Sequence, residues 1–469
     1  MTHELLTLPV TALTARFRAC TLSPVEVAKM HLARIEVLEP RLHAFQIIDA
    51  EGALAMARAS EARWRAGAPL SALDGVPVTI KDNVDVAGHP TRNGSLTMPA
   101  TPAARDSPPV ARLREAGAVF LGKTTLPEFG WKGITDSRLR GVATRNPWNL
   151  ERSPGGSTGG GAAALAAGIG TLCFGNDGGG SIRIPACFCG LFGIKPNAGR
   201  VPHPHQGVFS TVTADGPLAR SVADAVPMLA VMARGDDSDW YAPPPPPDDW
   251  LDALRPRLRG LRFAYAPNLG GAEPGRQVSA AVDAAVGVLR AHGAIVEEAG
   301  AVIEPLKPLF EPFWLSSFAH KLRALPRERH DDVDPGYVAI GERGMGVGIK
   351  AVLAAEEGRV LLYQRFAALF RTYDLLLTPT TPHAAPPADI VYHTQGYDRW
   401  RDAIPYTLPF NLTGLPAATL PCGLADDGMP VGLQVVGPKF AERAILEACL
   451  GIEPLLGFAP LREQKMAAL

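Results

Sequence analysis

Two glycine-rich loops each present one serine, and these serines are the residues whose types and spacing could do chemistry. The first loop has the sequence SPGGSTGGG and carries Ser157, and the second, NDGGGSIRIP, carries Ser181, 24 positions later. Glycines beside a serine permit backbone conformations that a side chain forbids, and they leave successive N–H groups unhindered. Aligned N–H donors stabilise the charge that develops on a carbonyl oxygen. The two loops therefore predict the attack of a serine on a carbonyl group.

The base for such a serine is a separate question. A serine hydroxyl is a weak nucleophile that needs a coupled base, and residues 100–200 contain no histidine. Lys81 is the candidate, because it ends the apolar run LDGVPVTIK, which predicts a buried strand. Burial lowers the pKa of a lysine toward neutrality and lets the amine accept a proton. The alternative interpretation is a purely structural ion pair of Lys81 with Asp82 or Asp177.

Lys81, the two loops and the segment GLFGIKP at 190–196 together strongly resemble the amidase signature family of serine–cis-serine–lysine hydrolases. The resemblance covers nearly the whole chain, including PFNLTGLPAATLPCG and GMPVGLQVVGP in the C-terminal half. It implies that Ser181 is the nucleophile, that Ser157 follows a cis peptide bond and bridges the triad, and that Lys81 is the ultimate base. The implied reaction is hydrolysis of a C(O)–N bond through an acyl-enzyme.

The resemblance also assigns roles around the nucleophile. Four successive backbone N–H groups would form the oxyanion hole: those of Gly178, Gly179, Gly180 and Ser181. Asp177 and Arg183 would hold this loop through charge-assisted hydrogen bonds, and Thr158 stands where many members have serine. Asn176 replaces the threonine of many members, and Gly178 replaces a larger residue. The small Gly178 predicts room for a bulkier acyl group.

Helix and strand patterns alternate along the chain and predict an α/β fold. We expect one large domain with a central mixed β-sheet flanked by helices on both faces, the amidase signature fold. Its predicted regions are a helical segment over 1–70, a catalytic core over 71–235 and a C-terminal half over 251–469 that completes the sheet and walls the substrate pocket. The proline run within 239–250 predicts a surface connector between them.

Three other patterns point to functions that the sequence does not support. The segment GAVFLGKT at 117–124 matches a phosphate-binding loop, but it follows a predicted helix and consists of strand formers, so Lys123 is predicted to end a strand near the surface. His203 and His205 lack further ligands at metal spacing and are interpreted as a loop wall. The uncharged stretch 153–176 has the length of a membrane span, but lipid could not satisfy the backbone of its glycine-rich start.

Composition and charge narrow the class of partner. A net charge of -1 over 469 residues provides no basic surface for nucleic acid or an anionic membrane. Six scattered cysteines without a CxxC pair predict reduced thiols, and the N-terminus lacks an export signal. We therefore predict a cytoplasmic protein with a small-molecule amide substrate, no nucleic-acid or membrane partner, no cofactor and no metal. The oligomeric state stays open, a homodimer included.

The substrate is less constrained than the reaction. The aromatic segments Phe310–Leu315 and Tyr397–Trp400 fit the walls of a hydrophobic pocket for aryl or alkyl amides, anilides or carbamates, and core packing is the alternative. A second candidate function is that of the glutaminase-type A component of a tRNA-dependent amidotransferase, which works with partner subunits. Residues 340–375 lack the Leu-Gly-x-Tyr-x-Leu-Ser pattern and following tyrosine pair of such proteins. The sequence therefore favours a free-standing amidase.

Overall fold

A computed structural model describes residues 2–203, 211–269, 273–300, 302–303, 306–390 and 404–461. Its strands, numbered along the chain, are β1 Phe45–Ile48, β2 Pro77–Lys81, β3 Val119–Thr124, β4 Asp136–Ser137, β5 Val142–Ala143, β6 Leu172–Asp177, β7 Phe192–Lys195, β8 Ala214–Ala219, β9 Arg262–Tyr265, β10 Ile295–Glu298, β11 Leu375–Pro379, β12 Ala417–Leu424 and β13 Pro430–Val436. Its α-helices are α1 Thr2–Leu6, α2 Val10–Arg18, α3 Pro24–Leu42, α4 Ala50–Arg65, α5 Pro108–Glu115, α6 Gly159–Ala166, α7 Arg183–Cys189, α8 Val222–Met232, α9 Arg276–Ala291, α10 Lys307–Arg323, α11 Pro335–Gly344, α12 Ile349–Leu369, α13 Leu408–Leu412 and α14 Glu442–Leu456.

Eleven strands form one mixed sheet, in the order β1-β3-β2-β6-β8-β7-β12-β13-β11-β9-β10. At one side β3, β2 and β6 run parallel, and at the other side β11, β9 and β10 do. The strands between these two groups pair antiparallel with their neighbours. Strands from the second half of the chain therefore extend the sheet of the first half, and the predicted fold, a single domain with a mixed sheet, is confirmed.

Helices cover both faces of this sheet. Successive side chains of a strand point to opposite faces, and β6 shows the consequence at Cys173 and Phe174. Phe174 packs in a cluster with Leu229 of α8 and Val282 of α9. Cys173 packs in a different cluster with the small residues of α6 and α7, among them Ala162. Burial on both faces explains why the chain around β6 contains an uncharged run.

The sheet also determines where the two serine loops meet. Strands β2 and β6 are parallel neighbours, with Ile80 opposite Phe174, so both strands reach the same edge of the sheet at Lys81 and Asp177. The loop of Ser157 leads into α6, and the loop after β6 leads into α7. Four chain segments that are distant in sequence thus converge at one edge.

The N-terminal region differs from the sequence interpretation in one element. Helix α3 begins at a capping box, in which Glu26 accepts the Ser23 amide at 2.8 Å and the Ser23 hydroxyl caps the helix. The segment Phe45–Ile48, however, is a strand that pairs antiparallel with β3 at the edge of the sheet. A helical interpretation of the first 70 residues missed it, because four residues are too few to establish an alternating pattern.

The prediction for Lys123 is wrong. Its side chain is 1% exposed and forms an ion pair with Asp82 at 2.8 Å. The cause is topological, since β3 lies between β1 and β2 and its end is covered from both sides. Lys123 also donates to the Pro90 carbonyl at 2.8 Å and to the Thr91 hydroxyl at 2.9 Å. Lys123 thereby fixes the loop that follows strand β2.

The proline-rich segment 239–250 lies between α8 and β9 and contains neither helix nor strand. Trp240 is 77% exposed and Tyr241 is 50% exposed there. The division of the chain into functional regions at this segment stays a prediction. None of the helices in the described ranges has the length and apolar character that crossing a membrane requires.

Candidate active site

Lys81 makes a specific contact with the first serine loop. Its Nζ atom lies 2.8 Å from Ser157 Oγ and 2.5 Å from Asn176 Oδ1. The alternative ion pairs are not formed, since Asp82 pairs with Lys123 and Asp177 with Arg183. The Lys81 amine therefore faces a hydroxyl and an amide oxygen, and neither of them carries a charge.

This environment favours the neutral amine. The Lys81 side chain is fully buried, and burial lowers its pKa to about 7, against smaller upward contributions from Asp177 and Asp215. Burial in low dielectric disfavours the charged form of a lysine. A neutral amine has a lone pair that can accept a proton from the Ser157 hydroxyl. The desolvation that the sequence predicts for Lys81 is present.

Ser157 and Ser181 both line one cavity of about 60 Å³ at this edge of the sheet. The peptide bond between Gly156 and Ser157 is cis. Ser181 Oγ forms no hydrogen bond to any described residue, and the Ser181 carbonyl accepts the Thr158 amide at 3.2 Å. The remaining lining residues of the cavity are Asn83, Phe129, Gly130, Gly133, Gly156, Asn176, Gly178, Gly179, Ile184, Thr213 and Trp314. Both predicted serines are therefore exposed to the same space.

The loop that carries Ser181, called the nucleophile loop after the predicted role of that serine, is held by a buried ion pair between Asp177 and Arg183. Both side chains are 0% exposed, and the guanidinium donates to the two carboxylate oxygens at 2.9 Å each. Burial alone would raise the pKa of Asp177, but Arg183 and the hydrogen-bond donors around the carboxylate hold that pKa well below its usual range. The carboxylate also accepts the Ile182 amide at 3.1 Å. Asp177 is thus charged and binds the loop on both sides of Ser181.

The predicted row of four oxyanion donors needs one correction. The Gly180 amide donates to Asp177 Oδ1 at 2.7 Å, so it is not available to a substrate. The physical reason is the turn between Asp177 and Gly180, which brings the side-chain carboxylate within reach of the amide three residues later. Gly180 itself has a φ of +127°. The amides of Gly178, Gly179 and Ser181 form no hydrogen bonds to the described part of the chain. Glycine is needed at position 180 because few other residues adopt such a φ.

The C-terminal half supplies supports that the sequence did not identify. Asn411 of α13 donates to the Asp177 carboxylate at 2.9 Å, and the hydroxyl of Thr407 donates to the Gly179 carbonyl at 2.6 Å. Gln434 of β13 accepts from Arg183 at 2.8 Å. Asn411 and Gln434 lie within PFNLTG and GLQVVG, segments that carried the family resemblance but to which no role was assigned.

Other predicted residues have mixed positions. Trp314, within the predicted wall Phe310–Leu315, lines the cavity, but Phe310 is fully buried in an aromatic cluster, so this segment combines both interpretations. The Thr158 hydroxyl donates to the Asn176 carbonyl at 3.4 Å. Tyr397–Trp400 and His205 lie outside the described residues.

The cavity lining contains no charged side chain among the described residues. Several lining residues have no counterpart in the sequence predictions, among them Asn83, which follows Lys81 by two positions, and Phe129, which adopts a φ of +52°. No local pattern marks either one, because their position depends on how separate loops fold together. Across the described ranges, histidine, cysteine and carboxylate side chains form no group that could hold a metal ion.

Comparisons with known proteins agree with this geometry. The family model described as Amidase matches residues 26–446 of the chain. The chain is 36% identical to the A component of the glutamyl-tRNA(Gln) amidotransferase of Chloroflexus aggregans, over 94% of this chain and 95% of the relative. It is 33% identical to an acylamidase of Rhodococcus erythropolis, over 96% of each protein.

Solved structures give the same result. 6-Aminohexanoate cyclic dimer hydrolase superposes with a TM-score of 0.89 at 27% identity, covering 98% of this chain and 99% of that one. A bacterial aryl acylamidase of the amidase signature family superposes with a TM-score of 0.87 at 26% identity, covering 97% and 99%. The chain therefore belongs to the amidase signature family, and it is an enzyme that hydrolyses carbon–nitrogen bonds.

Proposed function

We propose that this protein hydrolyses uncharged aryl or alkyl amides, anilides and carbamates included, through a seryl acyl-enzyme. Neutral Lys81 accepts a proton from Ser157, which accepts one from Ser181, and Ser181 Oγ attacks the carbonyl carbon. The amides of Gly178, Gly179 and Ser181 bind the resulting oxyanion. The C–N bond then breaks as Ser157 returns a proton to the departing amine. Water repeats the sequence and releases the acid.

The observation that carries this proposal is the contact between Lys81 and Ser157 in a buried setting. The 2.8 Å distance allows direct proton transfer, and a lysine pKa of about 7 leaves a large fraction of neutral amine at neutral pH. The step from Ser181 to Ser157 requires the Ser181 hydroxyl to turn toward Ser157 when substrate binds. Such catalytic hydrogen bonds commonly form only in the substrate complex.

The choice of substrate class rests on the uncharged lining of the cavity. Phe129, Ile184 and Trp314 provide apolar surface, and Asn83, Asn176 and Thr213 provide neutral polar groups. A charged substrate group would lose its hydration there without gaining a counter-charge from these residues. Gly178 lines the cavity and has no side chain to occupy it. Neutral amides with an aromatic or alkyl acyl group fit this chemistry.

The second candidate function is the glutaminase reaction of an amidotransferase A component, which the identity of 36% to such a protein favours. Free glutamine carries an ammonium and a carboxylate, and both need partners of opposite charge. The described lining residues offer neither. The acylamidase similarity of 33% over 96% of both chains supports the first candidate instead.

The test is a substrate panel with the purified chain alone: acyl p-nitroanilides, alkyl amides, carbamates and glutamine. We expect release of p-nitroaniline by the wild type and its loss by at least about 1000-fold in Ser181→Ala and Lys81→Ala. Covalent labelling by a fluorophosphonate should disappear in Ser181→Ala. The amidotransferase function would be supported instead if glutamine were the one substrate of the panel that is hydrolysed, and if its hydrolysis required added partner subunits.

A further inference from the structure

A buried ion pair that the proposed chemistry does not use lies beside the catalytic base. His203 Nδ1 is 3.0 Å from Asp215 Oδ2, and the Asp215 side chain is 0% exposed whereas that of His203 is 18% exposed. Asp215 Oδ1 is also buried, and no described residue donates a hydrogen bond to it. The carboxylate is therefore only half satisfied, and His203 is its single partner of opposite charge within the described ranges.

The sheet places Asp215 next to the group that holds Lys81. Asp215 on β8 is the direct register partner of Asn176 on β6, and such antiparallel partners have Cβ atoms only about 4.5–5.5 Å apart. Asn176 in turn accepts the Lys81 amine at 2.5 Å. A single residue thus separates the Asp215 carboxylate from the catalytic amine. Against the larger effect of burial, the Asp215 charge raises the pKa of Lys81, after that of Asp177.

We propose that Asp215 and His203 form a charge pair that sets the protonation of Lys81. Asp215 supplies the negative charge that acts on the lysine, and His203 reduces the effect of that charge. The inference rests on the proposed role of Lys81 as the base. The Asp215 carboxylate stabilises the Lys81 ammonium and so opposes the effect of burial on the Lys81 pKa. A protonated His203 offsets part of that carboxylate charge, and loss of the His203 proton restores it.

Other titratable groups also act on Lys81, and Asp177 raises the Lys81 pKa more than Asp215 does. Asp177 also faces Lys81, but its charge is matched by Arg183. The Cys173 thiol, the third neighbour, stays protonated because burial raises its pKa to about 12. On the outer side, burial would lower the pKa of His203, but Asp215 and then Asp239 raise it above its ordinary value. Asp215 therefore favours the imidazolium form of His203.

The sign of each perturbation follows. The base works only as a neutral amine, so kcat/KM rises with pH through the Lys81 pKa. Asp215→Asn removes a charge that favours the ammonium, and the acid limb of the profile should move down by about half to one pH unit. His203→Gln removes the positive charge that offsets Asp215, so the acid limb should move to higher pH. The double variant should match Asp215→Asn, because His203 acts only through Asp215.

The experiment compares the wild type, Asp215→Asn, His203→Gln and the double variant from pH 5 to 9. It measures kcat/KM for a p-nitroanilide and the rate at which a fluorophosphonate labels Ser181. Asp74→Asn is the matched control. The Asp74 side chain is also 0% exposed and forms an ion pair with Arg63 at 2.6 Å, but this pair is remote from Lys81. It should lower stability without moving the acid limb. Thermal melting of each variant verifies that it folds.

Three outcomes overturn the inference: an unmoved acid limb in folded Asp215→Asn, an unmoved or lowered limb in His203→Gln, or a double variant that differs from Asp215→Asn. A structural role alone would reduce the height of the profile and leave its position unchanged. Failure of the proposed function has a different signature, namely a wild-type protein that neither cleaves the anilide nor becomes labelled at Ser181.

Discussion

Replacing Asp177 with asparagine tests the structural basis of the nucleophile loop. Asp177→Asn preserves the shape of the side chain but removes its charge and one acceptor oxygen. Arg183, 0% exposed, would then lack its only carboxylate partner in the described structure. The neutral variant also presents an NH₂ group to donors that now face an oxygen. We expect loss of both stability and activity.

The magnitude follows from burial. Removing one member of a fully buried ion pair costs about 3–5 kcal/mol, because an uncompensated charge remains. At Asp177 that charge is the Arg183 guanidinium, whose remaining partners are the neutral oxygens of Thr407, Asn411 and Gln434. Release of the Gly180 amide, now held at 2.7 Å, should also displace the oxyanion loop. We therefore expect kcat/KM to fall at least about tenfold in the folded variant, or about 1.4 kcal/mol.

The assay is urea unfolding of the wild type, Asp177→Asn, Arg183→Met and the double variant, with kcat/KM for an anilide measured on each. Both single variants should lose about 3–5 kcal/mol. The double variant should lose less than the sum, since neither charge is then left alone. Single-variant losses below about 1 kcal/mol, the range of exposed pairs, would refute the idea that this pair is isolated from water.

Three further predictions concern the pH dependence set by Lys81, the glycine at position 180 and the buried Lys132. Because burial lowers the pKa of Lys81 to about 7, kcat/KM should rise with pH and level off above about pH 8; a limb centred below pH 5 would contradict this. Gly180→Ala should abolish activity, because the added Cβ would lie 2.5 Å from a threonine hydroxyl and the residue has a φ of +127°. Gly260→Ala is the control: Gly260 has a φ of +78° in open space, so this substitution should lower the free energy of unfolding in urea by only about 1–2 kcal/mol. Lys132→Met should cost about 3–5 kcal/mol, because Lys132 is 2% exposed and pairs with Asp334 at 2.8 Å; an unchanged urea midpoint would show that the pair is dispensable.

Much of the site could be predicted because its chemistry is written in local sequence. Lys81 ends a short apolar strand, and Ser157 and Ser181 each lie among glycines, so residue type and spacing indicated them as candidates. The resemblance to the amidase signature family then implied their roles. The helix and strand patterns likewise predicted a mixed sheet. These signals are local, since each depends on a few neighbouring residues and on no knowledge of the tertiary fold.

The parts that could not be predicted depend on contacts across the chain. Lys123 resembles a surface residue until β1 and β2 are known to flank β3, the strand that carries it. Gly180 resembles an oxyanion donor until its amide is seen to donate to the Asp177 carboxylate. Asn411 is 234 positions from that aspartate. No property of an isolated segment contains such information.

The support of the nucleophile loop by α13 and β13 has a consequence for biosynthesis. A ribosome adds residues from the N-terminus onward, so both serines and the lysine emerge long before Thr407, Asn411 and Gln434. At about 5–20 residues per second, the loop waits more than ten seconds for the groups that fix it. A nascent chain or a fragment ending near residue 235 would contain Lys81, Ser157 and Ser181 and still lack the side chains that hold the loop in place.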